Sequence, residues 1–178
     1  MKKGFLIPVL TIVLAAGLLL GLSFGLKEVA GANARKEHLE IMDVLLPGEE
    51  GFVVEPYSGD DANIRSVHRR DTGYVIETVT AGYAGDITML VAVNKDGMVV
   101  GLVVREMGET YSLGLNALND ADFLAQFLKT KGDAEIGAGV DAISGATVTS
   151  RAIARCVNSA VAYVTGADID TGATSWGG

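Results

Sequence analysis

The chain is poor in cysteine, with Cys156 as the only one among 178 residues. A single cysteine excludes an internal disulfide, and it excludes an iron–sulfur cluster or zinc site whose ligands are all cysteines of this chain. Cys156 falls near the apolar face of a helical pattern, where cysteine behaves as a small hydrophobe. We therefore predict that Cys156 packs in the core and is not a redox centre.

Basic residues are also few, with 14 Lys and Arg against 22 Asp and Glu and a net charge of −8. Nucleic-acid-binding domains need a basic patch or stripe, and the sequence contains none. His38 and His68 have no cysteine or carboxylate beside them at ligand spacing, which favours surface positions. The sequence therefore predicts no nucleic-acid partner and no metal site.

Charge is absent from Gly4 to Leu26, an apolar run long enough to cross a hydrocarbon core of about 30 Å. Lys2 and Lys3 precede this run, so the positive-inside rule places the N-terminus in the cytoplasm. A cleaved signal peptide ending near Ala30 is the alternative, but its apolar region would be unusually long. We predict a single transmembrane helix, residues 1–26, in the inner or plasma membrane, with the remaining chain extracytoplasmic. After position 27 the chain contains 11 basic and 22 acidic residues, which gives this part a net charge of −11.

The remaining residues predict an α+β domain with an antiparallel sheet and flanking helices. A stalk helix is expected over residues 27–48, ended by Pro47 and Gly48, and the domain over residues 49–164. Strand patterns occur around residues 52–54, 64–68, 74–80, 87–93 and 98–104, and Asp96-Gly97 marks a hairpin between the last two. Helices are expected from Asp120 through Leu128 and after Thr147, and residues 165–178 form an irregular tail.

The segment Asp141–Thr147 carries the chemistry. Its small residues run directly into the apolar pattern of the last helix, so backbone N–H groups and the positive end of the helix dipole lie beside a hydroxyl. Such a site suits a phosphate, with a side chain placed for attachment to it. The alternative is an ordinary helix N-cap, for which Ser and Thr are favoured without any ligand.

Asp141–Thr147 resembles the flavinylation motif Asp-x-x-Ser/Thr-Gly-Ala-Thr of the FMN-binding domain family. Gly82–Gly85 and the paired strands around Val91–Gly97 are similar to the same family. So are Glu109-Thr110 and Leu113-Gly114, which match its Glu-Thr-Pro-Gly-Leu-Gly segment except at Tyr111 and Ser112. These blocks span residues 74–164, about half of the chain.

The resemblance implies that a flavin transferase attaches FMN from FAD to Thr147 through a phosphoester. Asp141, Ser144, Gly145 and Ala146 would form the frame that the transferase reads. Glu109, Thr110, Leu113 and Gly114 would lie near the isoalloxazine. Tyr83 is equally compatible with stacking on a flavin and with packing on the sheet.

The order of these blocks after a membrane anchor resembles the G subunits of Rnf-type ion-translocating ferredoxin:NAD oxidoreductases. The C subunits of sodium-pumping NADH:quinone reductases, or a stand-alone extracytoplasmic flavoprotein, are the second interpretation. The resemblance implies an electron-transfer subunit with covalent FMN. Its expected partners are other membrane subunits, including a second FMN-bearing one, and the flavin transferase during maturation.

A second copy of the motif occurs at Asp168–Thr174. A strand-like segment precedes Thr147 and a helical pattern follows it, whereas no helical pattern follows Thr174, so we favour Thr147 as the acceptor. Two further hypotheses stay open. Asp71-Thr72-Gly73 and Asp170-Thr171-Gly172 are similar to the Asp-Thr-Gly of aspartic proteases, although turns of this composition are common. A membrane-anchored binding module with an unused flavin site is the other.

Overall fold

The computed structural model describes residues 30–107 and 120–167, and the chain divides after Ile41 into two units. Residues 30–45 form helix α1, so the division falls within it. Among the described residues, no helix combines the length and apolar character that a membrane crossing needs. The anchor predicted at residues 1–26, the segment Glu109–Gly114 and the second motif at Asp168–Thr174 all lie outside the described residues.

The second unit is built on a five-stranded antiparallel sheet in the order β1-β2-β3-β4-β5. Its strands are β1 (Val53–Glu55), β2 (Ile64–Arg70), β3 (Gly73–Ala81), β4 (Asp86–Asn94) and β5 (Val99–Met107). Each strand pairs with its neighbour in sequence, as short turns between antiparallel strands allow. The predicted α+β class with an antiparallel sheet is confirmed.

In the part of the chain that the structure describes, two helices follow the sheet, α2 (Ala121–Ala125) and the longer α3 (Thr147–Thr165). Helix α3 packs on β3 and β4 through apolar residues one turn apart, of which Ile153, Val157 and Val161 are fully buried, as the helical pattern predicts. Cys156 is also fully buried, and burial raises the pKa of its thiol. Its predicted place in the core is confirmed.

Two local predictions differ from the structure. The helix expected to run from Asp120 through Leu128 ends at Ala125, although Asp120 caps it by accepting from Phe123 N at 3.0 Å. The turns that follow still bury Phe127, while Leu128 remains 40% exposed. The segment before the motif is not a strand, because it forms only an isolated bridge between Ile136 and Val140.

Arg70, at the end of β2, contacts residues 43–52 of the same unit. Its buried guanidinium donates from Nη1 to the carbonyl of Leu46 at 2.7 Å and pairs with the carboxylate of Asp43. The guanidinium carbon also lies 3.9 Å from the centre of the Phe52 ring. A cation at the C-terminal turn of a helix satisfies its last carbonyls and its dipole, so Arg70 orders residues 43–52.

Candidate functional site

Helix α3 crosses the sheet antiparallel to β3, which decides which loops lie near its start. The Thr80 hydroxyl donates to the carbonyl of Ala152 at 3.0 Å. At the other end of the sheet, a Cβ on Gly97 would lie 2.3 Å from Thr165 Cγ2. The start of α3 therefore lies at the end of the sheet that carries the turn 82–85 between β3 and β4. We call this the motif end.

The end of β5 lies at the motif end as well. Ala81 pairs with Asp86 across the turn, and Ile87 pairs with Met107, the last residue of β5. Residues 108–119, which contain Glu109, Thr110, Leu113 and Gly114, lie outside the described residues. The last residue described before them, Met107, is at the motif end.

The motif loop, residues 141–146, is exposed except at Ile143, which is half-buried, and Ala146, which is buried. It closes through a turn in which Ala146 N donates to the carbonyl of Ile143 at 2.9 Å. Gly145 has a φ of 80°, a conformation that costs glycine little and other residues more. Ser144 and Gly145, two predicted site residues, therefore form an exposed tight turn directly before the helix.

Thr147 is the first residue of α3, and its side chain is exposed. The preceding residue, Ala146, occupies the N-cap position and makes no side-chain cap hydrogen bond. Ala146 therefore does not supply the cap that Ser, Thr or Asp gives at this position, and a helix start of this kind suits a phosphate. The ordinary N-cap interpretation of the motif does not hold, because Ala146 occupies that position and has no hydroxyl.

A cavity of about 320 Å³ adjoins the motif loop. Asp122 and Phe123 of α2 line one side, and Asp141, Ile143 and Ser144 of the loop line another. Its size lies at the lower end of the range for small-molecule sites. The exposed loop and the start of α3 suit a phosphate, whereas the carboxylates of Asp120, Asp122 and Asp141 in the cavity lining favour an uncharged part of a ligand there.

Tyr83 also lies at the motif end, in the turn closed by Gly82 N donating to the carbonyl of Gly85 at 2.8 Å. Its side chain is 76% exposed, so Tyr83 is not part of the buried core of the sheet. Stacking of Tyr83 on a flavin stays a prediction.

Sequence reasoning missed two residues that hold the motif loop. Ser150, fully buried in the first turn of α3, donates to the carbonyl of Ala146 at 2.9 Å and accepts from Ile143 N at 3.3 Å. Gln126 Oε1 accepts from Asp141 N at 2.8 Å. The position of Ser150 one turn after the loop was a usable signal, since serine in a helix commonly bonds to the preceding turn. Nothing local in the sequence marked Gln126.

The protease-like Asp71-Thr72-Gly73 lies at the opposite end of the sheet from Thr147. It forms the β2–β3 turn, in which Thr72 Oγ1 donates to the carbonyl of Pro47 at 3.1 Å. In residues 30–107 and 120–167, no group of three or more His, Cys, Asp or Glu side chains is arranged to hold a metal ion.

Residues 82–162 match the FMN-binding domain family. The match covers the turn that carries Tyr83, strands β4 and β5, the motif loop and most of α3. It therefore contains both the turn 82–85 and the motif loop.

Three relatives are each named as the G subunit of an oxidoreductase complex. The G subunit of the proton-translocating ferredoxin:NAD(+) oxidoreductase complex of Clostridium ljungdahlii is 38% identical over 99 residues, which cover 52% of this chain and 53% of the relative. The corresponding protein of the Na(+)-translocating complex of Acetobacterium woodii is 33% identical over 99 residues, 50% of this chain and 47% of the relative. The third, from the ion-translocating oxidoreductase complex of Methanosarcina acetivorans, is 32% identical over 145 residues, which cover 72% of this chain and 76% of the relative. The matches thus span about half the length of the first two relatives and three quarters of the third.

Proposed function

We propose that this chain, which belongs to the family of G subunits of ion-translocating oxidoreductase complexes, is an electron-transfer flavoprotein subunit of a membrane-bound Rnf-type complex. The observation that carries the proposal is the exposed hydroxyl of Thr147 at the uncapped start of α3. It lies within the part of the chain that matches the FMN-binding domain.

Thr147 is the residue to which FMN is attached. The Thr147 oxygen forms a bond to the FMN phosphorus of FAD, and the bond from that phosphorus to the oxygen bridging to the adenylate breaks. The products are the phosphoester and AMP, and the hydroxyl proton passes to solvent. The flavin transferase is the partner that catalyses this step. Exposure of Thr147 supports the proposal, because a buried hydroxyl would be out of reach of a second protein.

The residues around Thr147 then hold the attached group. First-turn amides of α3 would donate hydrogen bonds to the phosphoester oxygens, and Asp141, Ser144, Gly145 and Ala146 shape the loop that the transferase recognises. Bound FMN supplies one- and two-electron redox chemistry, which the side chains of the chain do not. We place Glu109, Thr110, Leu113 and Gly114 near the isoalloxazine, in keeping with the position of Met107, the last residue described before them, at the motif end.

The membrane location and the partners belong to the same proposal. We assign residues 1–26 to a single transmembrane anchor with its N-terminus in the cytoplasm, and the FMN-binding domain to the extracytoplasmic side. The other membrane subunits of the complex, including a second FMN-bearing subunit, are the proposed electron-transfer partners. Covalent attachment keeps the flavin from being lost outside the membrane.

The test is in-gel flavin fluorescence after denaturation, with the full chain co-expressed with a flavin transferase. Wild type and Thr174→Ala are expected to fluoresce equally, and Thr147→Ala is expected to be dark. Thr147→Ser, which keeps the hydroxyl, is the matched control and should retain fluorescence. Equal fluorescence from Thr147→Ala would contradict the assignment, and a dark wild type would contradict covalent flavin altogether.

A further inference from the structure

We propose that Ser150 is a positioning residue that holds the motif loop in the conformation in which Thr147 is modified. This inference rests on the proposed attachment of FMN to Thr147. It assigns the conformation of the loop to a buried residue that lies outside the seven-residue motif.

The Ser150 hydroxyl joins the two sides of the loop turn. Its Oγ donates to the carbonyl of Ala146 at 2.9 Å and accepts from the amide of Ile143 at 3.3 Å. The turn between these two residues contains Ser144 and Gly145 and is closed by a single backbone bond. Ser150 is fully buried, so water does not compete for either bond.

The second bond separates Ser150 from an ordinary helical serine. A serine that bonds only to the carbonyl four residues before it makes a local contact within its helix. Ser150 also reaches the amide of Ile143, seven residues earlier, outside the helix. The loop backbone before Thr147 is thereby tied to the first turn of α3.

Among the described residues, the other polar constraints on the loop are few. Apolar packing holds the loop at Ile143 and Ala146, but Asp141, Ser144 and Gly145 are exposed and are not held in this way. Besides the turn and Ser150, the structure records the bond from Asp141 N to Gln126 Oε1 at 2.8 Å. Loss of the Ser150 hydroxyl removes two of these few constraints at once.

Thr147 follows Ala146 directly, so the loop sets the direction of its hydroxyl. Transfer of FMN requires the Thr147 oxygen to line up with the phosphorus and the leaving oxygen, and a misplacement of about 1 Å can slow such a reaction roughly 100-fold. Ser150→Ala is therefore expected to slow attachment while leaving Thr147 in place to be modified eventually.

Ser159 provides a matched control in the same helix. It is 1% exposed, and its hydroxyl accepts from Asn63 Nδ2 at 3.1 Å. It lies in the half of α3 away from the motif end. Ser159→Ala therefore removes a buried hydroxyl from α3 without touching the loop.

The experiment measures the rate of covalent flavin incorporation into the full chain, with purified flavin transferase and excess FAD. We expect Ser150→Ala to slow incorporation at least tenfold, and Ser159→Ala to stay within twofold of wild type. Thermal unfolding of both variants reports the general loss of stability, which we expect to be similar in the two. Ser150→Thr, which restores a hydroxyl, is expected to recover most of the rate.

Wild-type incorporation rates in Ser150→Ala, or equal slowing in Ser159→Ala, would overturn this inference while leaving the proposed function intact. Wild-type rates in Thr147→Ala would overturn the proposed function instead. If Ser150→Ala does not fold, Ser150→Cys takes its place, because a thiol keeps the approximate volume but hydrogen-bonds weakly. We expect Ser150→Cys to slow flavin incorporation at least tenfold as well, and an unchanged incorporation rate in this variant would contradict the inference.

Discussion

The two ends of the five-stranded sheet differ in how their polar and aromatic groups are used. At the end opposite the motif, Tyr163 packs edge-on against Tyr57 and Tyr74, with ring centres 5.8 and 5.9 Å away. The Tyr163 hydroxyl donates to Glu55 Oε2 at 3.0 Å, and Arg69 Nε lies 2.5 Å from Glu55 Oε1. We call this the tyrosine end. At the motif end, Tyr83 and Thr147 are exposed.

We infer that the tyrosine end contributes to the stability of the fold and that the motif end binds the flavin. Groups at the tyrosine end form ring contacts, a hydrogen bond and an ion pair with one another. Substitutions there are therefore expected to change the free energy of unfolding. The motif end presents the exposed side chains of Tyr83 and Thr147 beside helix amides. Substitutions of these exposed side chains are expected to change the attachment or the environment of the flavin and to leave the free energy of unfolding nearly unaffected. Three substitutions, each with a control, test this separation, from the largest effect on unfolding to the smallest.

Gly73→Ala, in the β2–β3 turn at the tyrosine end, is expected to have the largest effect. A Cβ on Gly73 would lie 2.3 Å from the carbonyl oxygen of Val93 and 2.8 Å from Asn94 Cα. Both are backbone atoms of a paired strand and cannot move aside alone. We expect a loss of about 2–4 kcal/mol in the free energy of unfolding, measured with denaturant.

Gly166→Ala is the control for this substitution. Gly166 ends α3 with a φ of 70°, and nothing lies within 4 Å of a Cβ built on it. We expect only the conformational cost, about 1 kcal/mol. Equal losses of unfolding free energy in the two variants would contradict the prediction, because they would show that the short distances from Gly73 to Val93 and Asn94 add no cost.

Tyr163→Phe is expected to have an intermediate effect, about 1 kcal/mol, because it leaves the ring contacts and removes the hydrogen bond to Glu55. Burial, and then the bond to Glu55, raise the pKa of Tyr163 from 10.0 to about 12. The folded protein thus keeps this proton at a pH where the unfolded chain has lost it. This contribution is complete below pH 10 and is lost as the pH rises towards about 12.

Unfolding free energies measured from pH 9 upwards check this prediction, and Tyr163→Phe should show a shallower alkaline decline than wild type. Tyr83→Phe is the control at the motif end, because it removes a hydroxyl from an exposed ring. A similar change of slope in both variants would contradict the assignment to Tyr163.

Tyr83→Leu is expected to have the smallest effect on unfolding, within about 0.5 kcal/mol, because the side chain is exposed. In the flavin-loaded protein we expect it to increase quenching of flavin fluorescence by iodide, because an aromatic ring that stacks on the isoalloxazine shields it. Tyr83→Phe keeps the ring and should match wild type. Unchanged quenching in Tyr83→Leu would place the ring away from the flavin.

Much of the fold follows from local patterns in the sequence. Alternation and β-branched residues marked all five strands, and Asp96-Gly97 marked the last hairpin, because period and turn chemistry are local properties. The early end of α2 was not predictable in this way, because Phe127 reaches the core from a turn as well as it would from a helix. Apolar periodicity does not distinguish these two cases.

In the candidate site, too, local sequence patterns predict only part of the structure. The motif identified Thr147 and its loop, because the chemistry is contained in seven consecutive residues. Gln126 is 15 residues from Asp141, and its bond to the loop depends on how α2 packs. The position of Ser150 one turn after the loop indicated its bond to Ala146, but its bond to Ile143 depends on how the loop folds back and was not predictable from the sequence.

The most direct test of the central claim is mass spectrometry of tryptic peptides from the full chain after co-expression with a flavin transferase. Cleavage after Lys131 and Arg151 gives a peptide that contains Thr147, and Thr174 falls in the peptide that begins at Cys156. We expect one covalent FMN on the first peptide, with fragmentation placing it on Thr147. FMN on the second peptide alone, or on neither, would contradict the claim.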